Sequence, residues 1–299
     1  LYYSGSFNHG TPEGEFLYFY ESGELMSKIV HPHLDSSDNT LEVITAIHYR
    51  ENYSVQASGF YIDDVEETKP IREGSWGFYD EDSKQVKMET YSYGLLDGPY
   101  WVKGKKGQIV EEGEYSKDVL NGEKITYYDN GIVKQKINYS NGKLEGSFAV
   151  NYNNGYPKIE GKYVEGFETG SWKTYTEKGE LELLIQYSNG NRIKEIRVNG
   201  TFEETYADGR SKSEYTYRDK LLDGPYRVWY DQGGYVIEDF TDLETGEILQ
   251  RQVLKGTQVS REGSYFKGKL DGPVFYYNQN GELEKTENYK EGKLLNTAY

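Results

Sequence analysis

The chain has 299 residues, 35% of them hydrophobic and 15% aromatic, and its 50 acidic against 34 basic residues give a net charge of −16. That balance excludes a broad surface for nucleic acid or anionic lipid headgroups, because phosphate binding needs clustered Lys and Arg. The absence of cysteine removes disulfides and thiol chemistry, and no apolar run approaches the ~20 residues of a membrane helix, so no membrane insertion is expected.

The sequence opens Leu1-Tyr2-Tyr3 without a methionine, so a tag, a signal peptide or a lipoprotein leader is expected to have been removed upstream. From Gly14 the chain reads as strands punctuated by glycine. Lead glycines fall at Gly14, Gly74, Gly98, Gly122, Gly146, Gly170, Gly200, Gly224 and Gly272, with a period of 24 residues from Gly74 to Gly170 and from Gly200 to Gly224. A fixed period of this size marks one supersecondary unit copied many times, each copy burying its apolar face against its neighbours. Two residues after the lead an aromatic recurs, at Phe16, Trp76, Tyr100, Phe148, Trp172, Phe202 and Tyr226. Nine residues after it a second glycine stands in eight of nine copies, and seventeen after it a tyrosine stands in seven.

Tyr, Phe, Trp, Val, Ile and Thr fill the space between glycines, which predicts half-buried strands, and only five alanines argue against helix. Asn130-Gly131, Asn154-Gly155, Asp208-Gly209 and Asn280-Gly281 predict tight type I′ hairpins, and Asn141-Gly142 and Asn189-Gly190 a second turn per unit. The fold class that follows is all-β: an elongated antiparallel β-meander of about ten hairpins, a single-layer twisted sheet over residues 1–299. At roughly 4.8 Å per strand, about twenty strands would extend on the order of 95 Å. Amphipathic tyrosine, present 31 times, suits such a sheet, because its ring covers backbone while its hydroxyl stays wet.

The period breaks in three places. Gly14 to Gly74 is 60 residues, and 26–72 is read as an irregular insertion within the first repeats, with Leu41 to Tyr49 and Tyr53 to Ile62 alternating as a longer hairpin. Insertions into repeats often sit on the binding face. The stretch carries His31, His33 and His48, a set able to bind zinc if the imidazoles converge, although Pro32 between the first two favours an edge or turn. The acid runs Asp63-Asp64 with Glu66-Glu67 and Asp80-Glu81-Asp82 lack the spacing of a calcium loop and read as solvated turns. Gly170 to Gly200 is 30 residues, and Gly224 to Gly272 is 48, read as two units whose middle glycine has slipped to Gly246.

The frame from Gly5 to Gly23, Gly161 to Gly179 and Gly263 to Gly281 resembles the MORN repeat. Tyr127-Tyr128-Asp129-Asn130-Gly131, Tyr139-Ser140-Asn141-Gly142-Lys143 and Leu221-Leu222-Asp223-Gly224-Pro225-Tyr226 are closer to the bacterial variant of YwqK-like antitoxin proteins. The resemblance implies a single-layer sheet of hairpins with a scaffolding or binding role, and the composition leans toward a bacterial cell envelope or secreted protein. No nucleophile elbow, phosphate loop or metalloprotease motif appears, so neither catalysis nor a cofactor is expected. Two binding roles stay open, a protein-interaction scaffold with a basic protein as candidate partner, in an antitoxin- or immunity-like use, and a cell-surface carbohydrate platform. The candidate contact residues for both are the adjacent pairs Tyr100-Trp101, Tyr127-Tyr128, Trp229-Tyr230 and Tyr276-Tyr277, which put aromatics on both faces so that one ring of each pair is free to be exposed.

Overall fold

The computed structural model describes residues 2–32, 43–62, 70–241 and 248–299, and every regular element among them is a β-strand. The chain divides into two units, one of Leu1–Trp172, Glu177–Gly179 and Tyr187–Asn191, the other of Lys173–Thr176, Glu180–Gln186 and Arg192–Tyr299. The first begins with β1 (Tyr2–Asn8), β2 (Thr11–Phe19), β3 (Leu25–His31), β4 (Val43–Tyr49), β5 (Val55–Ile62), β6 (Ile71–Tyr79) and β7 (Gln85–Ser92). It continues with β8 (Leu95–Leu96), β9 (Gly98–Lys103), β10 (Ile109–Ser116), β11 (Val119–Leu120), β12 (Gly122–Tyr127), β13 (Val133–Ser140), β14 (Lys143–Asn151) and β15 (Pro157–Val164). β16 (Phe167–Tyr175), β17 (Leu181–Ser188) and β18 (Asn191–Arg197) give residues to both units. The second unit adds β19 (Gly200–Thr205), β20 (Ser211–Arg218), β21 (Leu221–Trp229), β22 (Gly234–Thr241) and β23 (Ile248–Lys255). It ends with β24 (Val259–Phe266), β25 (Lys269–Leu270), β26 (Gly272–Tyr277), β27 (Leu283–Lys290) and β28 (Lys293–Ala298).

From β1 to β15 each long strand pairs antiparallel with its sequence neighbour, and the two-residue β8 and β11 only extend the corners before β9 and β12. In the second unit β19 pairs β20, β20 pairs β21, and β24, β26, β27 and β28 follow in turn. The all-β antiparallel meander is therefore the observed architecture.

The two turns of each copy differ. Asn141 and Gly142 both have positive φ, 50° and 78°, as a two-residue type I′ turn requires. At the other end Gly131 N–H donates to Tyr128 O (2.9 Å), Tyr128 N–H donates to Ile132 O (2.8 Å), and of the Asn130-Gly131 pair only Gly131, at φ 83°, is left-handed. This is a three-residue loop closed by a left-handed glycine, which corrects the type I′ expectation for Asn130-Gly131.

One contact organises the buried face. The aromatic two residues after the lead glycine lies over a glycine on the adjoining strand: Phe16 over Gly5, Trp76 over Gly59, Tyr100 over Gly113 and Trp172 over Gly161. Of the eleven buried apolar residues among those described, seven occupy this slot: Phe16, Ala46, Trp76, Tyr100, Trp172, Tyr226 and Val274. Neighbouring rings then meet edge to face, as Trp172 does with Tyr163 at 5.0 Å and Tyr187 at 5.9 Å.

Residues 26–72 contain a further copy of the same hairpin. Arg50 N–H donates to Ser54 O (2.9 Å) and Tyr53 N–H to Arg50 O (2.9 Å), the closure seen at 128–132. Ile44 stands at the lead position, Ala46 in the aromatic slot, Tyr53 (φ 64°) at the second glycine, Gly59 under the next ring and Tyr61 at the recurrent tyrosine. The gap of 60 residues is thus two intervals of 30, from Gly14 to Ile44 and from Ile44 to Gly74.

The 48-residue gap has a different origin. β21 pairs directly with β24, and Tyr230 N–H closes the turn on Gln258 O at 2.9 Å, where the preceding copy closes Tyr206 on Arg210. A spacing of 28 in place of 4 leaves 24 inserted residues, and these carry β22 and β23, a separate two-stranded ribbon. The reading as two units with a slipped glycine is corrected: it is one unit with an arm grown from its turn, and Gly246 lies outside the described residues.

A Cβ at Gly59 would stand 2.5 Å from the Trp76 ring, at a φ that any residue adopts. Gly59→Ala should therefore cost about 1–3 kcal/mol through overpacking alone, read as a lowered urea midpoint with unchanged slope.

Candidate functional site

The four aromatic pairs are drawn into the sheet. Tyr100 is buried and the other seven rings are half-buried, so neither ring of any pair is exposed. Their hydroxyls are engaged: Tyr100 donates to Glu111 (3.0 Å), Tyr127 to Glu112 (2.5 Å), Tyr276 to Glu287 (2.8 Å) and Tyr277 to Glu262 (2.9 Å). Tyr128 donates to Asn151 O (2.8 Å) and Tyr230 to Tyr277 O (2.7 Å). Trp101 carries the Lys103 ammonium 4.6 Å from its ring centre, and Trp229 lies 5.8 Å from the Arg227 guanidinium.

These contacts reveal a tether that the sequence signals six residues after the lead, where Tyr recurs at Tyr20, Tyr128, Tyr152, Tyr206 and Tyr230. Tyr20, Tyr128, Tyr206 and Tyr230 each donate to a carbonyl at the same turn of the following copy, on Tyr49, Asn151, Trp229 and Tyr277. Arg50 takes this place in the copy led by Ile44 and reaches the carbonyls of Tyr79 and Asp80. Asn130 and Asn154 add bonds to the carbonyls of Asn153 and Glu177.

Carboxylates fix the rings electrostatically. The hydrogen bond to Glu112 first, and then burial, pushes the Tyr127 phenol up to about 12. Burial, reinforced by Glu111 and Glu287, raises Tyr100 and Tyr276 as well. Glu287 accepts from Lys285 (2.6 Å), Tyr276 (2.8 Å) and Tyr289 (2.8 Å), which hold it down at about 2. Glu262 is pushed up by burial, but Arg227 and Tyr277 outweigh that and lower it.

Of the histidines, His31 meets the Phe16 ring at 5.2 Å, and His48 bonds Ser27 (2.7 Å) and Tyr61 (3.0 Å); His33 lies outside the described residues. Among the described residues no three His, Asp or Glu side chains gather as a metal site. The run from Asp63 to Glu67 also lies outside them. Asp80 of the second acid run accepts the N–H groups of Asp82 (3.0 Å) and Lys84 (2.9 Å), forming a local turn.

Two features interrupt the regular faces. Where Ser27 lies opposite His48, an open pocket of about 510 Å³ forms between Tyr18, Ile29, Ile44, His48 and Tyr61. In the second unit the β22–β23 arm exposes Tyr235, Val236, Ile237, Ile248 and Leu249, with Ile237 at 65% and Ile248 at 73%.

Three segments, residues 12–31, 120–141 and 270–291, match the MORN repeat variant. A comparison with curated proteins gives no match. Among solved structures, a porin-like protein from Bacteroides uniformis aligns over 77% of this chain and 96% of its own, at 9% identity and a TM-score of 0.19. A TcdB2-TccC3 structure lacking its hypervariable C-terminal region aligns over 92% of this chain and 19% of its own, at 11% identity and a TM-score of 0.12. At these scores neither likeness bears on fold or function. The matched segments show that the chain carries repeats of the MORN variant type.

Glu287 supplies a pH test. A carboxylate held down at about 2 when folded stabilises the fold above the ordinary glutamate value, and that contribution is lost as pH falls toward 2. Between pH 5 and pH 2.5 the melting temperature should fall less in Glu287→Gln than in the parent, measured by circular dichroism.

Proposed function

We propose that this chain is a non-catalytic repeat scaffold that binds another protein, with the β22–β23 arm as its contact element. The observation that carries the reading is the arm's composition. A two-stranded ribbon is marginal in water by itself, yet this one shows large apolar side chains to solvent on both faces. By its register Tyr235, Ile237, Ile248 and Leu254 share one face and Val236, Phe240, Leu249 and Val253 the other. Around them stand Asp239, Arg251 and Lys255, an apolar patch with a charged rim, which is the pattern of a protein interface.

A carbohydrate platform has less support, because the eight paired aromatics are recessed and six of them spend their hydroxyls inside the sheet. The net charge of −16 favours a basic partner. An antitoxin- or immunity-like use, in which the acidic chain occludes such a protein, is the narrower form of the proposal and rests on that charge and on the repeat type.

Replacing residues 231–257 with the Ala-Asp-Gly turn of residues 207–209 removes the arm while preserving the closure between Tyr230 and Gln258. The shortened chain is expected to keep its strand signature and lose the protein recovered by affinity from the native source. Retained capture would move the contact to the repeats. A basic partner should also bind progressively more weakly as salt rises from 50 to about 500 mM, and salt-independent affinity would remove the electrostatic part of the proposal.

A further inference from the structure

The cavity beside β3, β4 and β5 belongs to neither the repeat pattern nor the arm. It lies beside the copy led by Ile44, where Ser27 stands opposite His48 in the ladder. Its walls are apolar or ring-bearing, with Tyr18, Met26, Ile29, Ile44 and Tyr61 among them. Its volume of about 510 Å³ lies in the range of small-ligand sites, roughly 300–1,000 Å³.

The polar groups of the cavity form one chain. Ser27 Oγ lies 2.7 Å from His48 Nδ1, and His48 Nε2 lies 3.0 Å from Tyr61 Oη. Arg72 stands beside the chain, donating to the Tyr91 hydroxyl (2.9 Å) with its guanidinium 4.7 Å from the Trp76 ring centre. Burial, seconded by Arg72, lowers the His48 pKa and favours the neutral ring, which has one N–H and one acceptor nitrogen.

The protons can then be counted along the chain. The neutral ring has one proton to give, so it donates at one end of the chain and accepts at the other. With that proton on Nδ1, His48 donates to Ser27 Oγ and accepts from the Tyr61 hydroxyl at Nε2. That leaves the Ser27 O–H without an acceptor, and no second partner meets it among the described residues. The same count argues against a nucleophilic serine, because a ring nitrogen that donates to Ser27 cannot take its proton.

We propose that this cavity binds a small apolar or aromatic molecule bearing a carbonyl or carboxylate oxygen, which accepts the hydrogen bond from Ser27. This site is independent of the arm and of any protein partner.

Two measurements test it on the full chain. Nitrogen-15 NMR of the imidazoles should show His48 protonated on Nδ1 and accepting at Nε2; the opposite tautomer, or a doubly protonated ring at pH 7, would overturn the proton count and with it the ligand class. Titration with phenylacetamide, followed by NMR, should give saturable shifts at Ser27, His48 and Tyr61. Ser27→Ala should weaken phenylacetamide at least tenfold while leaving ethylbenzene, which has no acceptor, unchanged. Ser27→Leu should fill the space and abolish both, with melting temperatures confirming that each variant is folded. Shifts that fail to saturate, or equal phenylacetamide affinity in the parent and Ser27→Ala, would sink the proposal.

Discussion

The sheet depends on an aromatic ring lying flat on a glycine of the next strand. A strand pair in a thin sheet has little depth in which to hide apolar area, and a glycine opposite a ring supplies that depth by omission. At Gly161 and Gly5 a Cβ would overlap the Trp172 and Phe16 rings. The ring shields the backbone of its neighbour from water and meets the next tyrosine edge to face, so each copy buries its own slot and supports the following one. Stability is therefore spread over many small contacts of roughly 0.2–1 kcal/mol each. This is how a chain of mean hydropathy −0.85 forms extended antiparallel sheets.

The other constraint is polar. Tyrosine hydroxyls either accompany carboxylates, as around Glu111, Glu262 and Glu287, or cross from one turn to the carbonyl of the next. Glu111, Glu112, Glu262 and Glu287 are consequently committed to the ladder of strands. Glu287, with three donors, is a structural anion.

Much of the architecture was legible in the sequence because glycine at a left-handed turn or under a ring has no cheap substitute, so the recurring glycines report geometry directly. The copy at 44–61 escaped because it dispenses with both turn glycines. Ile44 leads it and Tyr53 adopts the left-handed φ, while its one surviving mark, Gly59 with Tyr61, has no glycine partner at the expected distance. The arm escaped for an arithmetical reason: its 24 added residues equal the period, so an insertion counted as a repeat. The aromatic pairs were misjudged for exposure because alternation along a strand gives the face of a side chain and not its depth. Their neighbours, Glu112 and Asn151 among them, draw the rings down. The Ser27–His48–Tyr61 chain could not be read from residues 21 and 13 positions apart until the register of β3, β4 and β5 was known.

The turn that bears the arm has a consequence for engineering. Its closure asks only that one backbone N–H reach one carbonyl, from Tyr230 to Gln258, and β21 and β24 keep their ladder whatever the chain does between those two groups. The equivalent turns at 128–132 and 206–210 close through the same pair of groups. Each is accordingly a socket into which a foreign hairpin or short peptide can be grafted.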